Sequence, residues 1–561
     1  MRNVISLDGV WNFGFAEKLP LEEVTAGAIP VTTVMTVPGC YEGLKKYFGR
    51  WGVGSYVRKV YCGGSVKLKI DALGLRARVF WDGKLLGECE HAFSPEIFYF
   101  KAGKKAHHTL EIAVENTPHT RDAGLMYVDD YDFHCYGGIY DSVSITELDS
   151  FYLDRIQLTP KDLKGNVVLK IVAGGKLPAK YKATIYFDHE KYLVKELSGK
   201  ENEISCKVPD ARIWSPSSPE LHHCRVILNE NEDMVETSFG IRTLKAEKGK
   251  IFLNGKAIEL IGYNRHDSHP SFGYALPQSL MLMDLSLIKE QGCNFIRGSH
   301  YPQRERFLEL CDRMGLLVWE EVLGWNNQPS QCADPRFRKL QVEQAESMVR
   351  KSANHPSVIM WGFLNEVYMP EGECPRKLIE SIVNTIRKED SSRLVTFAYA
   401  TGWKECSDNC LDLVDVLSFN TYPGWYGHWH LPGALETILP KFQELVEFAS
   451  RKELKNKPLI ISEMGGAAIY GNHDDYRWGE EYQAELISIA LNEILDNPRF
   501  SGIAFWQFCD AKTHLICPGI LNKPRGFNNK GLLDEYRRPK YAWKRVTEIL
   551  RERNFDGTRK K

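Results

Sequence analysis

The feature that most constrains this chain begins near residue 246. From there, short β-rich runs alternate with longer amphipathic stretches. The runs are "ELIGYNRH" (259–266), "NFIRGS" (294–299), "LLVWEEV" (316–322), "IMWGFLNE" (359–366), "LVTFAYA" (394–400), "VLSFNTY" (416–422), "PLIISEM" (458–464) and "GIAFWQF" (502–508). Helical patterns fall between most of them, as at Pro277 to Gln291, Arg304 to Met314 and Glu480 to Leu495, and a last one begins near Tyr541. Strands alternating with helices imply a parallel sheet covered on both faces, and such strands read as near-continuous apolar runs. Eight repeats of this unit over about 300 residues predict a (β/α)8 TIM barrel. The link between the fifth and sixth runs, "TGWKECSDNCLDL", is a weak helix and the softest part of the count.

The residues before the barrel follow another rhythm. Residues 1–150 carry short alternating segments such as "SYVRKVYC", "VKLKIDAL" and "HTLEIAVEN", separated by Gly, Asp and Asn. Period-two alternation with frequent turn signals predicts an antiparallel β-sandwich, here jelly-roll-like. Residues 151–245 continue in short strands and, at under a hundred residues, suit an immunoglobulin-like sandwich. The expected domains are therefore 1–150, 151–245 and 246–561, two β-sandwiches followed by the barrel.

Composition narrows the function classes. With a formal net charge of −1, no overall basic field argues for nucleic acid or an anionic membrane. No apolar run is long enough to span a bilayer. "MRNVISLDGVWNF" lacks a signal-peptide core and enters strand-like sequence at once. Fourteen cysteines are scattered, and the one close pair, Cys406 and Cys410, lacks partners at zinc-site spacing. These points predict a cytoplasmic protein with reduced, mostly buried thiols and no metal or cofactor. The adjacent His222 and His223 read as surface residues.

In a (β/α)8 barrel the functional groups gather at the C-terminal strand ends. Here those ends supply Arg265 and His266, His300 and Tyr301, Glu320 and Glu321, Asn365 and Glu366, Asn420 and Tyr422, Glu463, and Trp506 with Asp510. Glu366 and Glu463 end the fourth and seventh strands, across the barrel from one another. Two carboxyls about 5 Å apart suit double displacement at a sugar carbon. One attacks, while the other gives and then takes a proton, which requires environments that split their ionisation. Glu320 and Glu321 read better as structural partners of neighbouring Arg and His. For His266 and His300 a hydrogen-bonded core role and a substrate contact are equally open, and Trp425 and Tyr426 can simply pack their loop.

"NHPSVIMWGFLNE" (354–366) resembles the acid/base region of family 2 of the glycoside hydrolases, and "PLIISEMGG" (458–466) resembles its nucleophile strand. "NFIRGSHYPQ" and "ELIGYNRHDSH" match further barrel motifs of that family, and the three-part layout is the same. The resemblance implies that Glu366 is the acid/base and Glu463 the nucleophile. Asn365 would bond the sugar 2-hydroxyl, and Tyr422 would touch the nucleophile. Arg265 and His266 would line the base of the pocket, with Trp506 as its floor. "DYDFHCYGGIY" (130–140) resembles the sandwich loop that enters the pocket, making Asp132 a sugar-hydroxyl contact.

The sugar class turns on "RGFNNKGLLD" (525–534). Read alone, it is a turn containing a lysine. After the eighth strand it resembles the Asn-x-Lys motif with which β-glucuronidases of the family read the uronate carboxylate, here Asn528 and Lys530. Tyr426 in "NTYPGWYG" would be a second carboxylate contact, and Arg525 a third candidate. The implied activity is retaining, exo-acting hydrolysis of β-D-glucuronide conjugates or uronic-acid-containing oligosaccharides. A β-galacturonidase or dual-specificity uronidase is the nearest alternative, and a β-galactosidase a more distant one. A non-catalytic carbohydrate-binding protein on the same fold is the rival from another class. The short segment after the third strand implies a site without a long flap, and relatives of this kind are often homo-oligomers, many of them tetramers.

Overall fold

The computed structural model describes residues 2–117, 133–230, 232–367, 374–400, 410–427, 433–513 and 522–558. The first region is dominated by an eight-stranded antiparallel sheet. Its spine is the long pair Gly52–Ile70 and Glu96–Glu115, running from Val53 opposite Glu115 to Ile70 opposite Glu96 with register shifts at Cys62 to Ser65. Alternation sends Trp11, Phe13, Tyr56, Leu68 and Ile112 into one core.

A three-stranded sheet (Phe151–Pro160, Asn166–Gly175, Glu201–Lys207) and a four-stranded sheet (Tyr181–Phe187, Glu190–Leu197, His222–Leu228, Met234–Phe239) follow. They share a core of Leu153, Leu169, Ile185, Val226 and Phe239. His222 corrects the surface reading. It is 1% exposed, with Nδ1 2.7 Å from Asp188 and Nε2 accepting from the Arg212 amide at 2.9 Å. Strand alternation turns His222 inward and its neighbour His223 toward the rim.

The barrel strands are Leu260–Asn264, Phe295–Gly298, Leu317–Glu321, Val358–Gly362, Leu394–Thr396 with Ala398–Tyr399, Leu417–Asn420, Leu459–Met464 and Phe500–Phe505. All pair in parallel, and the eighth returns to the first with Leu260 opposite Gly502. The sheet counts nine strands because the fifth is broken at Phe397; its first piece pairs with the fourth strand and its second with the sixth. Side chains alternate between an inner cluster containing Leu260, Phe295, Trp319 and Met360 and an outer cluster under the helices. Ile251 and Leu253, on a small three-stranded sheet that precedes the barrel, pack into the inner cluster. Among the described residues no helix is long and apolar enough to cross a membrane.

Ten of the described cysteines are free and buried, in line with their apolar settings. The expectation of reduced thiols fails at one place, where Cys374 and Cys410 form a disulfide across 36 residues of sequence. The start of the helix after the fourth strand there meets the segment after the fifth, a juxtaposition that spacing along the chain does not reveal. Of the doubtful link after the fifth strand, residues 401–409 lie outside the described residues.

Candidate active site

The barrel mouth holds a cavity of about 970 Å3, and its wall includes Trp325, Glu366, Asn420, Tyr422, Tyr426, Glu463, Trp506 and Lys530. Glu463 lies on the seventh strand, 3% exposed. Both of its oxygens are held: Oε1 accepts from Arg297 Nη1 at 2.7 Å, and Oε2 accepts from the Tyr422 hydroxyl at 2.5 Å. Burial, and then the charge of Glu366, push the Glu463 carboxyl up to about 8, while Arg297 and Tyr422 act in the opposite direction. The pair therefore carries one proton near neutrality.

Arg297 is the hub beneath this site. It is fully buried on the second strand and bonds Glu321 (2.7 Å), Asn365 Oδ1 (2.7 Å) and Asn264 Oδ1 (3.0 Å) besides Glu463. Its guanidinium lies 4.6 Å from the Trp319 ring centroid. Two carboxylates hold its pKa above the ordinary arginine value despite burial. A buried cation persists only with partners of this kind. Sequence reasoning passed over Arg297, although an arginine within an apolar barrel strand was itself a signal. Glu321, between Arg297 and His300 Nδ1 (3.3 Å), has the structural kind of partners expected for it.

Glu366 follows the fourth strand on backbone held by a bond from its amide to Ala398 O at 3.0 Å. Its φ is 50° and that of Leu364 is 47°, both left-handed. Such angles cost about 1 kcal/mol or more at a non-glycine residue and collect at functional sites. Asn420 Nδ2 donates to Glu366 Oε1 at 2.8 Å and to Asn365 Oδ1 at 2.9 Å. Asn365 is 1% exposed, and its Nδ2 has no hydrogen-bond partner among the described residues.

Lys530 lies opposite, in the loop after the eighth strand. It is 3% exposed; its Nζ donates to the Tyr426 hydroxyl at 2.6 Å and lies 5.6 Å from the Tyr422 ring centroid. The loop is pinned by the Gln507 amide on Lys530 O at 3.0 Å. A Cβ on Gly531 would stand 2.2 Å from Asp510 N, so only glycine allows this close approach. Asn528 is buried beside the cavity and not on its wall; its Oδ1 accepts from the Lys530 amide at 3.3 Å.

Three more expected contacts fall elsewhere. Arg265 does not line the cavity: it is fully buried between Asp267 (2.5 Å) and Asp284 (2.8 Å), because Asp284 on the first barrel helix captures it. Arg525 donates to both Glu535 oxygens, at 2.7 and 3.3 Å, and is not on the wall either. His266 sits one layer below the cavity, edge-on to Trp506 at 5.4 Å, and its Nε2 has no partner among the described residues. Burial holds its imidazole neutral, well below the ordinary value. Trp506 is on the wall, with His300 stacked on it at 5.2 Å. Asp132 lies outside the described residues.

Two family models match the chain. "Glycosyl hydrolases family 2, TIM barrel domain" covers residues 244–552, and "Glycosyl hydrolases family 2" covers 152–242. A β-glucuronidase of Streptococcus agalactiae is 27% identical, over 97% of this chain and 95% of its own. A β-glucuronidase of Rattus norvegicus is 30% identical, over 79% of this chain and 70% of its own. Among solved structures, a family 2 β-galacturonidase from Eisenbergiella tayi bound to galacturonate is 31% identical, with a TM-score of 0.88 over 98% of this chain and 97% of that one.

Proposed function

The chain belongs to family 2 of the glycosyl hydrolases, and from that membership we propose that it is a retaining, exo-acting β-glucuronidase. The observation that carries the substrate class is Lys530. Its buried ammonium lies on the wall of the cavity that Glu366 and Glu463 share, with the Tyr426 hydroxyl beside it. A cation and a hydroxyl together on the cavity wall suit the C5 carboxylate of a uronic acid, through charge-assisted hydrogen bonds. A neutral hexose offers that ammonium no carboxylate and so forgoes the charge-assisted bonds that a uronate makes.

In the proposed reaction the Glu463 carboxylate attacks the anomeric carbon as Glu366 passes its proton to the leaving glycosidic oxygen. The C–O bond to the aglycone breaks and a glycosyl ester forms. Glu366 then takes a proton from water, which attacks the same carbon, expels Glu463 and restores the starting ionisation. Hydrogen bonds from Arg297 and Tyr422 favour leaving the pair's negative charge on Glu463, which leaves the proton for Glu366. Asn365 Nδ2, without a partner among the described residues, is a donor for the sugar 2-hydroxyl.

A cation that reads a carboxylate does not distinguish epimers at C4, and the likeness to the Eisenbergiella tayi β-galacturonidase supports galacturonides as the second reading. Hydrolysis rates on nitrophenyl β-glucuronide, β-galacturonide and β-galactoside test both. The uronides, glucuronide first, are expected to be cleaved far faster, and Lys530→Met to cost about a hundredfold in kcat/KM on uronides. Fastest cleavage of the galactoside would overturn the assignment of Lys530.

A further inference from the structure

Asn420 is held in one orientation. Its Oδ1 accepts from the Ser462 hydroxyl at 2.7 Å, and Ser462 immediately precedes Glu463 on the seventh strand. With the oxygen so occupied, Nδ2 faces Asn365 Oδ1 (2.9 Å) and Glu366 Oε1 (2.8 Å). Ser462 is fully buried and Asn420 is 4% exposed, so solvent competes little for these bonds. We infer that Ser462 and Asn420 form a positioning relay that ties the nucleophile strand to the acid/base, fixing the Glu366 carboxyl and stabilising its ionised form. This rests on the reading of Glu366 as acid/base.

The chemistry follows from the donor. An amide N–H bonds a carboxylate more strongly than a carboxylic acid. Asn420 therefore favours the state that Glu366 enters after giving up its proton. The same amide nitrogen bonds Asn365, so the side chains proposed for the leaving group and the 2-hydroxyl share one anchor. Among the described residues the other titratable groups around Glu366 are Glu463 on the seventh strand, Tyr422 after the sixth, Arg297 acting through Asn365, and, on the wall of the same cavity, Tyr426, Lys530, Glu436, Lys441 and Glu444. None of these changes in the variants below.

The test is the pH profile of kcat/KM for Asn420→Leu and Ser462→Ala on nitrophenyl and alkyl β-glucuronides. Asn420→Leu removes the donor, and its alkaline limb is expected to move up by about one pH unit, the worth of a hydrogen bond to a charged group. Alkyl glucuronides, whose leaving groups depend on the proton, should lose more rate than nitrophenyl glucuronide. Ser462→Ala should shift the limb the same way by less, and it decides the matter alone if the leucine variant does not fold. Equal losses on both leaving groups with an unmoved limb would overturn the relay. Glu366→Ala is the control: if azide fails to restore its turnover of nitrophenyl glucuronide, the acid/base reading itself falls. Rescue by azide with unmoved limbs in the relay variants removes only the relay.

Discussion

Glu463 is pulled in two directions at the residue scale. Burial and Glu366 favour its protonated form, whereas Arg297 and Tyr422 favour its charge, and the balance leaves its carboxyl at about 8. An unfolded glutamate titrates at about 4.3. The native Glu366–Glu463 pair, which shares one proton, therefore binds more protons than the unfolded chain between those values, and the pair's contribution to stability is present below about 4.3 and lost as pH rises through about 8. Glu463→Gln removes that loss. Its melting temperature is expected to gain on the wild type progressively from pH 5 to 8, while kcat falls at least about a thousandfold. Thermal melts across that range check the first effect, and unchanged turnover would sink the double-displacement reading. Both glutamates were legible in the sequence because strand ends in a barrel announce their position. The partners of Arg297 and Asn420 were not, because neither residue type signals which of several neighbours it will bond. Arg265 shows the same limit from the other side, since it looked like a pocket residue until Asp284 took it.

At the scale of elements, the loop after the sixth strand combines packing and recognition. Trp425 could be read either way from the sequence. It is 2% exposed, meets Trp478 edge-on at 5.3 Å, and has the Arg477 guanidinium 4.3 Å from its ring centroid. It is thus the buried anchor of the loop that presents Tyr426 to Lys530. Trp425→Ala is expected to cost about 3–5 kcal/mol of stability and to raise KM on uronides more than it lowers kcat. Denaturant melts and steady-state kinetics separate the two, and a normal KM in a destabilised variant would show that the loop keeps its shape without the anchor. Element types were legible where periodicity was strong, in the barrel helices and the long sandwich strands. The break at Phe397 was not, because "LVTFAYA" is apolar throughout and closure of the barrel decides where pairing changes partner.

Across the whole molecule, the first sandwich supports the barrel mouth through buried polar contacts. Tyr274 donates to His134 O at 2.7 Å, and His134 Nε2 is 2.7 Å from Glu42, which also accepts from Asn116 and the Gly137 amide. Lys512, on the short strand paired with Phe527–Asn528, reaches this seam with its ammonium 3.3 Å from the Phe48 ring centroid. Its Nζ has no hydrogen-bond partner among the described residues. Burial lowers its pKa to about 8, with Glu42 opposing. Between about 8 and the ordinary lysine value of about 10.4, the unfolded chain binds the extra proton, so this residue makes stability rise with pH in that window. Lys512→Met should be more stable than the wild type at pH 7, and the advantage should shrink toward pH 10. Parallel melts at pH 7 and 10 test this, and a constant difference would mean that Lys512 titrates in the folded protein as it does in the unfolded chain.

The sequence by itself determined the two kinds of periodicity, and with them the sandwiches, the barrel, the strand ends that carry Glu366 and Glu463, and the place of Lys530 in the loop after the eighth strand. Such patterns are local, since each residue's exposure follows from its neighbours two to four places away. Only the tertiary structure decided which side chains meet. Arg297, Asn420 and Ser462 stand on three different strands, Cys374 and Cys410 are 36 residues apart, and Lys512 meets Phe48 from another layer of the molecule. Those pairings depend on barrel closure and on the docking of the sandwich, and no spacing along the chain encodes them.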